Sequence, residues 1–290
     1  MLYDSVLLVP RFPEEDTKTE ATKEIDQVGG PVARALSAVS SLGLKSAIAA
    51  VLGNDGPGVA CVESLRPRGV RTDGIQVVDG GSTRRSQVWV SAENASRTIT
   101  YSRGTLPDLQ LVPSLTDAIE RAEVLLLDGR ELQAAIPLAK QMRQLGKTVV
   151  VDAGGWKPDL ESLLRDSDIL IASSTTLTKV ESGEPLSGAR RLQAALGLEA
   201  VIVTAGRNGA WVLEKGAPQH VPAPPVQPVD TNGAGDTFAG GLTYGIVKSW
   251  PLIESVRFAS GVAALGCEHF GDYFPSADEV FELIRREERS

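Results

Sequence analysis

Cysteine is nearly absent. Only Cys61 and Cys267 occur in 290 residues, too few for a disulfide framework, which points to a reducing compartment such as the cytoplasm. Histidine is equally scarce: His220 and His269 lie far apart, so no Cys/His cluster has the spacing of a structural zinc site. Both read as surface or loop residues. Positive charge is in deficit, with 29 Lys and Arg against 37 Asp and Glu and a net charge of −8. That balance argues against nucleic acid or a membrane surface as a partner. No apolar run approaches the length of a membrane span, and the segment from Met1 to Arg11 lacks the basic start and long apolar stretch of a signal peptide. Walker A and protein-kinase signatures are missing too, as are internal repeats, low-complexity tracts and long linkers.

What remains is an ordinary soluble composition, 42% hydrophobic and 23% charged, in a chain at the upper edge of one α/β domain. From about Gly30 onward, short β-branched runs alternate with amphipathic stretches, the pattern of βαβ units around a mostly parallel sheet. Strands are predicted at 47–51, 124–128, 148–152, 169–172 and 200–204. Helices are predicted at 31–42, 59–68, 132–145, 189–196, 237–247, 252–267 and 277–286. Residues 86–91 and 97–102 break the alternation and read as a β-hairpin, with Gln87, Trp89, Thr98 and Tyr101 near its faces.

One stretch reads as chemistry. Val229-Asp-Thr-Asn-Gly-Ala-Gly-Asp-Thr-Phe-Ala-Gly-Gly-Leu242 sets Gly233, Ala234 and Gly235 just before Asp236, at the start of a helix whose Phe238, Leu242, Ile246 and Val247 recur at helical spacing. A helix N-terminus offers unpaired N–H groups and partial positive charge, a natural seat for phosphate. Small residues let an anion approach the backbone. A carboxylate at that spot repels a static phosphate, so Asp236 fits a base that takes a proton from a hydroxyl attacking a phosphoryl group. Asp236-Thr237 as a plain helix cap after a turn is the simpler alternative.

The whole string from Asp230 to Phe238 closely resembles the signature of the ribokinase family of carbohydrate kinases, whose final Asp is the catalytic base. The resemblance covers nearly the entire chain, and it implies an α/β fold: a single domain over 1–290, a three-layer sandwich around a mostly parallel sheet. A small β-sheet lid, at about 1–28 and 82–104, covers the sugar in that family and often mediates homodimerisation. It also implies an ATP-dependent kinase using Mg²⁺, with Asp236 as base and the N–H groups of residues 233 to 236 neutralising the γ-phosphoryl. A lid suits that chemistry because water competes as acceptor.

Further matches follow residue by residue. Gly29-Gly30-Pro-Val-Ala-Arg34, followed by Ala35–Leu44, resembles the glycine pair that approaches sugar hydroxyls and opens a helix ending in Leu-Gly. The family often has Asn where this chain has Arg34. A guanidinium prefers an anionic partner, so Arg34 either meets an anionic substrate group or salt-bridges an acid on the lid. Asp4 resembles the sugar-binding Asp of ketohexokinase-like members, and a frayed terminal acid is the alternative. Asp128-Gly129-Arg130 resembles acid-Gly-Arg strings of ketohexokinase and sulfofructose kinase, placing Arg130 on a phosphate or sulfonate, against a structural ion pair. Thr204, Gly206 and Gly209 resemble the nucleotide loop, and Ser260 the helix beside adenine. In potassium-activated members Asp230, Asn232, Gly266 and Gly271 correspond to the K⁺ loop. Ser173-Ser-Thr-Thr176 stands where many members carry Asn-x-x-Glu, leaving the Mg²⁺ position unassigned. A nucleoside kinase and a non-catalytic sugar- or nucleotide-binding protein are the competing readings.

Overall fold

The computed structural model describes residues 1–157, 159–181 and 183–289. Contacts divide the chain into two compact units: residues 1–107, 225–240 and 262–290, and residues 108–224 and 241–261.

The first unit opens with β1 (Leu2–Val9) and β2 (Lys23–Gly29), an antiparallel pair with Asp4 opposite Gln27. α1 (Pro31–Ser41), β3 (Ser46–Gly53), α2 (Gly56–Leu65), β4 (Val70–Val78), β5 (Arg85–Ser91) and β6 (Arg97–Ser102) follow. β5 runs parallel to β1 and antiparallel to β6, giving a four-stranded sheet ordered β2-β1-β5-β6. Residues 86–91 and 97–102 thus form the hairpin their alternation predicts. The two-residue period of a strand puts Asp4 on the buried face of β1 with Val6 and Leu8, and opposite Ser86 of β5. Val6, Leu8, Val88 and Val90 pack there against Phe270. β3 and β4 pair in parallel as a separate two-stranded sheet. Beneath it, Val28, Ala33, Ile48, Leu52, Cys61, Leu65 and Val70 form one apolar cluster.

α2 begins three residues before its predicted start because Asp55 accepts the Gly58 N–H (3.1 Å) and Pro57 occupies the first turn, a favoured capped start.

In the second unit come α3 (Pro113–Arg121), β7 (Val124–Leu127), α4 (Leu132–Gln144), β8 (Thr148–Ala153), α5 (Leu160–Leu164), β9 (Ile169–Ser173), α6 (Ser174–Val180) and α7 (Pro185–Leu196). β10 (Ala200–Thr204), β11 (Ala210–Leu213) and β12 (Gln219–Val221) complete a six-stranded sheet ordered β12-β11-β10-β9-β8-β7. β7 to β10 are parallel, and β11 and β12 add antiparallel. The parallel strands carry unbroken apolar runs, as strands covered on both faces do: Val149, Val150, Val151, Leu170, Val201, Ile202 and Val203 are wholly shielded.

α8 (Ala234–Val247) starts in the first unit and ends in the second; α9 (Leu252–Cys267) does the reverse; α10 (Ala277–Glu287) closes the chain behind a Ser276/Glu279 capping box. Within the first unit α8 crosses α1 at Gly240, where a β-carbon would stand 2.5 Å from the Ala35 carbonyl and 2.9 Å from Ala38 Cβ. Only glycine permits that approach.

Candidate active site

The segment before α8 is pinned from three directions. Asp230, 3% exposed, accepts the Asn232 N–H on Oδ1 (2.8 Å) and the Gly271 N–H on Oδ2 (3.2 Å). Such an Asx-type turn substitutes for backbone pairing. The Val229 and Asp230 N–H groups both donate to the Cys267 carbonyl. Thr231 Oγ1 donates to the Ala95 carbonyl, in the turn between β5 and β6, at 2.9 Å. Gly233 then adopts φ +80°, a left-handed step that L side chains resist, and α8 begins at Ala234. Asp236 is therefore the third helical residue, half-buried, beside an exposed Gly235 that has no atom within 4 Å of its missing β-carbon. N–H groups in this first turn have no intrahelical carbonyl to bond.

Beside the turn lies a buried charge chain. Arg34, in the first turn of α1 and 3% exposed, extends Nη2 to Asp4 Oδ2 (3.3 Å) and Asp272 Oδ1 (3.4 Å). Asp4 also accepts from the Ser86 hydroxyl. Asp272 Oδ2 meets Arg68 Nη1 at 2.9 Å, and the Arg68 guanidinium lies 4.9 Å above the Phe274 ring. The Asp272 N–H donates to Gln27 Oε1 (2.9 Å). Of the two expectations for Arg34, the geometry matches the ion pair with an acid of the small sheet. Asp4 is no frayed terminal acid: it is 6% exposed within β1. The glycines follow from these side chains. A β-carbon at Gly29 would overlap the Asp4 carboxylate, one at Gly233 would overlap Arg34 Nη1, and Gly30 holds φ +106° as α1 begins.

Burial pushes the Asp236 carboxyl above its ordinary range, against the pull of Arg34 and then Arg97. Burial likewise raises Asp4, opposed by Arg34 and the Ser86 hydrogen bond. It raises Asp230 as well, opposed by the Asn232 and Gly271 N–H groups. Desolvation alone would lower Arg34, but Asp272, Asp236, Asp4 and Asp230 together hold its proton more tightly than usual. A guanidinium with four carboxylates about it stays charged.

A narrow space lined by Arg34, Asn232, Gly233, Ala234, Thr237 and Gly271 encloses about 10 Å³, at the lower limit for one water. Asp230, Asn232, Gly266 and Gly271 do gather near it. Each Asp230 oxygen accepts one N–H group, and the buried Asn232 Nδ2, itself a donor, has no partner. For a divalent ion, no group of three His, Cys, Asp or Glu side chains among the described residues is placed to hold one. Mg²⁺ bound mainly by phosphate oxygens and water needs no such cage.

The remaining candidates belong to the second unit. Thr204 ends β10, and exposed Gly206 (φ +56°) opens the turn to β11. Gly209 (φ +81°) is required by its own strand ends, since a β-carbon there would overlap the Val221 carbonyl. Ser260 is buried and its hydroxyl donates back to the Val256 carbonyl (2.9 Å). Arg130 is half exposed, 3.9 Å from Asp128 Oδ2. Ser173 caps α6 by accepting the Thr176 N–H (3.1 Å), so the Ser-Ser-Thr-Thr segment starts a helix. His220 meets Trp211 at a tilt and, in the first unit, His269 stacks on Tyr273, both exposed as expected.

Asp272, Arg68, Gln27, Ser86 and Arg97 were not anticipated. Their partners lie up to 245 positions away in the chain, a distance over which no local pattern signals contact.

The description pfkB family carbohydrate kinase matches residues 1–279. The chain belongs to the pfkB family of carbohydrate kinases. Among its relatives, a ribokinase of Haemophilus influenzae is 27% identical over 292 residues, covering 97% of this chain and 95% of that one. A ketohexokinase of Mus musculus is 26% identical, covering 92% and 93%. The Arabidopsis thaliana ribokinase structure complexed with ribose and ATP superposes with a TM-score of 0.84 at 25% identity, covering 98% of this chain and 96% of that one. This pfkB-family chain accordingly has the ribokinase-like α/β fold and is a kinase that phosphorylates a small substrate with ATP. No helix among the described residues is long and apolar enough to cross a membrane.

Proposed function

We propose that the protein transfers the γ-phosphoryl group of MgATP to a hydroxyl of a small sugar, with Asp236 as general base. The observation that carries this reading is Asp236 in the first turn of α8, beside the bare backbone of Gly235. Asp236 takes the proton of the acceptor hydroxyl as its oxygen attacks phosphorus. One O–P bond forms, the bond between the γ-phosphorus and the bridging oxygen breaks, and ADP leaves with that electron pair. N–H groups of residues 233 to 236 meet the charge on the transferring oxygens. Mg²⁺ arrives with ATP and neutralises its phosphates. Asp230 organises the turn through its two accepted N–H groups.

In the first unit Asp4, Gly29 and Gly30 would bind the acceptor; Thr204, Gly206 and Gly209 would bind the nucleotide. The names of the relatives favour a sugar over a nucleoside. A sulfo-sugar reading rests on Arg34 and Arg130. Arg34 spends its Nη2, the corner toward Asp4, on two carboxylates, which leaves Arg130 as the cation for a sulfonate, and a neutral ketose or pentose is the acceptor we favour. Two unpaired thiols, Cys61 and Cys267, suit a cytoplasmic setting. For a homodimer, β6 is the more open edge of the four-stranded sheet: all six of its residues are exposed, Ile99 and Tyr101 among them, and a second copy can extend such an edge.

ADP release from MgATP, screened over fructose, ribose, sulfofructose and adenosine, tests the reading. Asp236→Asn should lower turnover at least ~10²-fold while ATP still binds. Equal turnover by the variant removes the assigned base. No acceptor stimulation in the unaltered protein, with ATP binding retained, makes it a binding protein instead.

A further inference from the structure

Arg34 offers more donors than its fork to Asp4 and Asp272 uses. Both of those ion pairs use Nη2. Nη1 lies against Gly233, in the volume a β-carbon there would fill, and Arg34 lines the small space beside Gly233 and Ala234. The guanidinium plane is thus anchored at one corner and presents the other to the turn that leads into α8. Five N–H bonds in a rigid fork suit such divided service, and an ammonium group does not. Asp4 and Asp272 hold this head group in place, and Asp236 and Asp230 add to the negative field that keeps it charged before any ligand arrives.

We propose that Arg34 is a further catalytic residue: its Nη1 joins the main-chain N–H groups of residues 233 to 236 as a donor to the phosphoryl oxygens seated on that turn. Asp4 and Asp272 act as its positioning residues. The inference rests on the phosphoryl-transfer reading above. It assigns to Arg34 a contact with the transferring group, where Arg34 was expected on sequence grounds to meet the acceptor or to be purely structural. A preorganised donor in a water-poor site acts most strongly on charge that develops during transfer, so Arg34 should favour the transition state over bound ADP.

The test compares the affinity of the protein for Mg·ADP with its affinity for Mg·ADP plus aluminium fluoride, a planar anion standing for the transferring group. In the unaltered protein, aluminium fluoride should tighten ADP binding. Arg34→Lys keeps a cation for the two carboxylates, so it should fold, yet a single ammonium cannot serve them and the turn together. Its tightening should fall about 10²-fold, the usual loss for one oxyanion donor, with Mg·ADP affinity and thermal midpoint nearly unchanged. Arg34→Gln should lose the tightening as well, at a cost in stability that its melting curve records separately. Full tightening in Arg34→Lys overturns the proposal, whatever Arg34→Gln does. If the unaltered protein shows neither ATP binding nor tightening, the phosphoryl-transfer reading itself fails. If it tightens and Arg34→Lys tightens equally, only the role of Arg34 is lost.

Discussion

Two glycines of one motif, Gly233 and Gly235, should respond to alanine in opposite ways. At Gly233 the backbone sits at φ +80°, which costs an L residue about 1–2 kcal/mol. The new methyl would also overlap Arg34 Nη1, forcing the guanidinium off Asp4 and Asp272. Breaking a buried ion pair costs about 3–5 kcal/mol, and because Arg68 still holds Asp272 the lower end applies. The two lower ends sum to about 4 kcal/mol, or roughly 10 °C of melting temperature for a chain of this size. Gly235 has a helical backbone and is exposed, and beyond its own helix nothing stands within 4 Å of a β-carbon there. Alanine there should leave stability unchanged or raise it by about 0.5–1 kcal/mol. Its methyl would enter the space assigned to the phosphoryl group, and displacing a reacting atom by an ångström costs about 10²-fold in rate. Circular-dichroism melting and ADP release with the best acceptor of the panel decide the matter. A Gly233→Ala protein that melts with the unaltered one refutes the packing argument. A Gly235→Ala protein with full turnover refutes the placement of the phosphoryl group.

Further outcomes can be stated briefly. A base must be unprotonated, so kcat/KM should rise with pH through the Asp236 pKa, which burial lifts above the ordinary carboxylate range. Arg97 opposes that lift, so Arg97→Gln should move the acidic limb to higher pH, less so in high salt; an unmoved limb excludes the coupling. Thr231→Val removes the 2.9 Å bond to Ala95 and should cost about 0.5–1.5 kcal/mol; unchanged hydrogen exchange at residues 92–96 would show that this bond does not hold the hairpin turn. Leu170→Ala, in a wholly buried strand position, should cost about 2–5 kcal/mol, read from the midpoint of denaturant unfolding; a shift below 1 kcal/mol would mean the core repacks there.

The parallel strands were legible because β8, β9 and β10 each hold an unbroken apolar run of three or four residues, bounded by polar ones. Helices α8, α9 and α10 were legible from their 3.6-residue period. β2 and β4 escaped notice: Lys23–Gly29 is mostly exposed, and Val70–Val78 carries Arg71, Thr72 and Asp73, so neither shows a clean two-residue alternation. β11 and β12 span only four and three residues, too short for a period to register. In the site, Asp236 and its small neighbours stood out because the requirement is local: an anion, a helix start and bare backbone within four positions. The partners of Arg34 did not, because strand β1, the end of α2 and the loop after α9 meet only in the folded chain.

The glycine crossing of α1 and α8 fixes more than packing. Arg34 sits one residue before Ala35, and Asp236 sits four before Gly240, on two main chains in direct touch. The side chain at the contact is the Ala38 methyl, which leaves little size for mutation to adjust. Evolution is therefore free to rebuild the walls around this pair while its spacing stays constant, and new acceptors should be won by changes in β1, β5 and β6 before either helix moves.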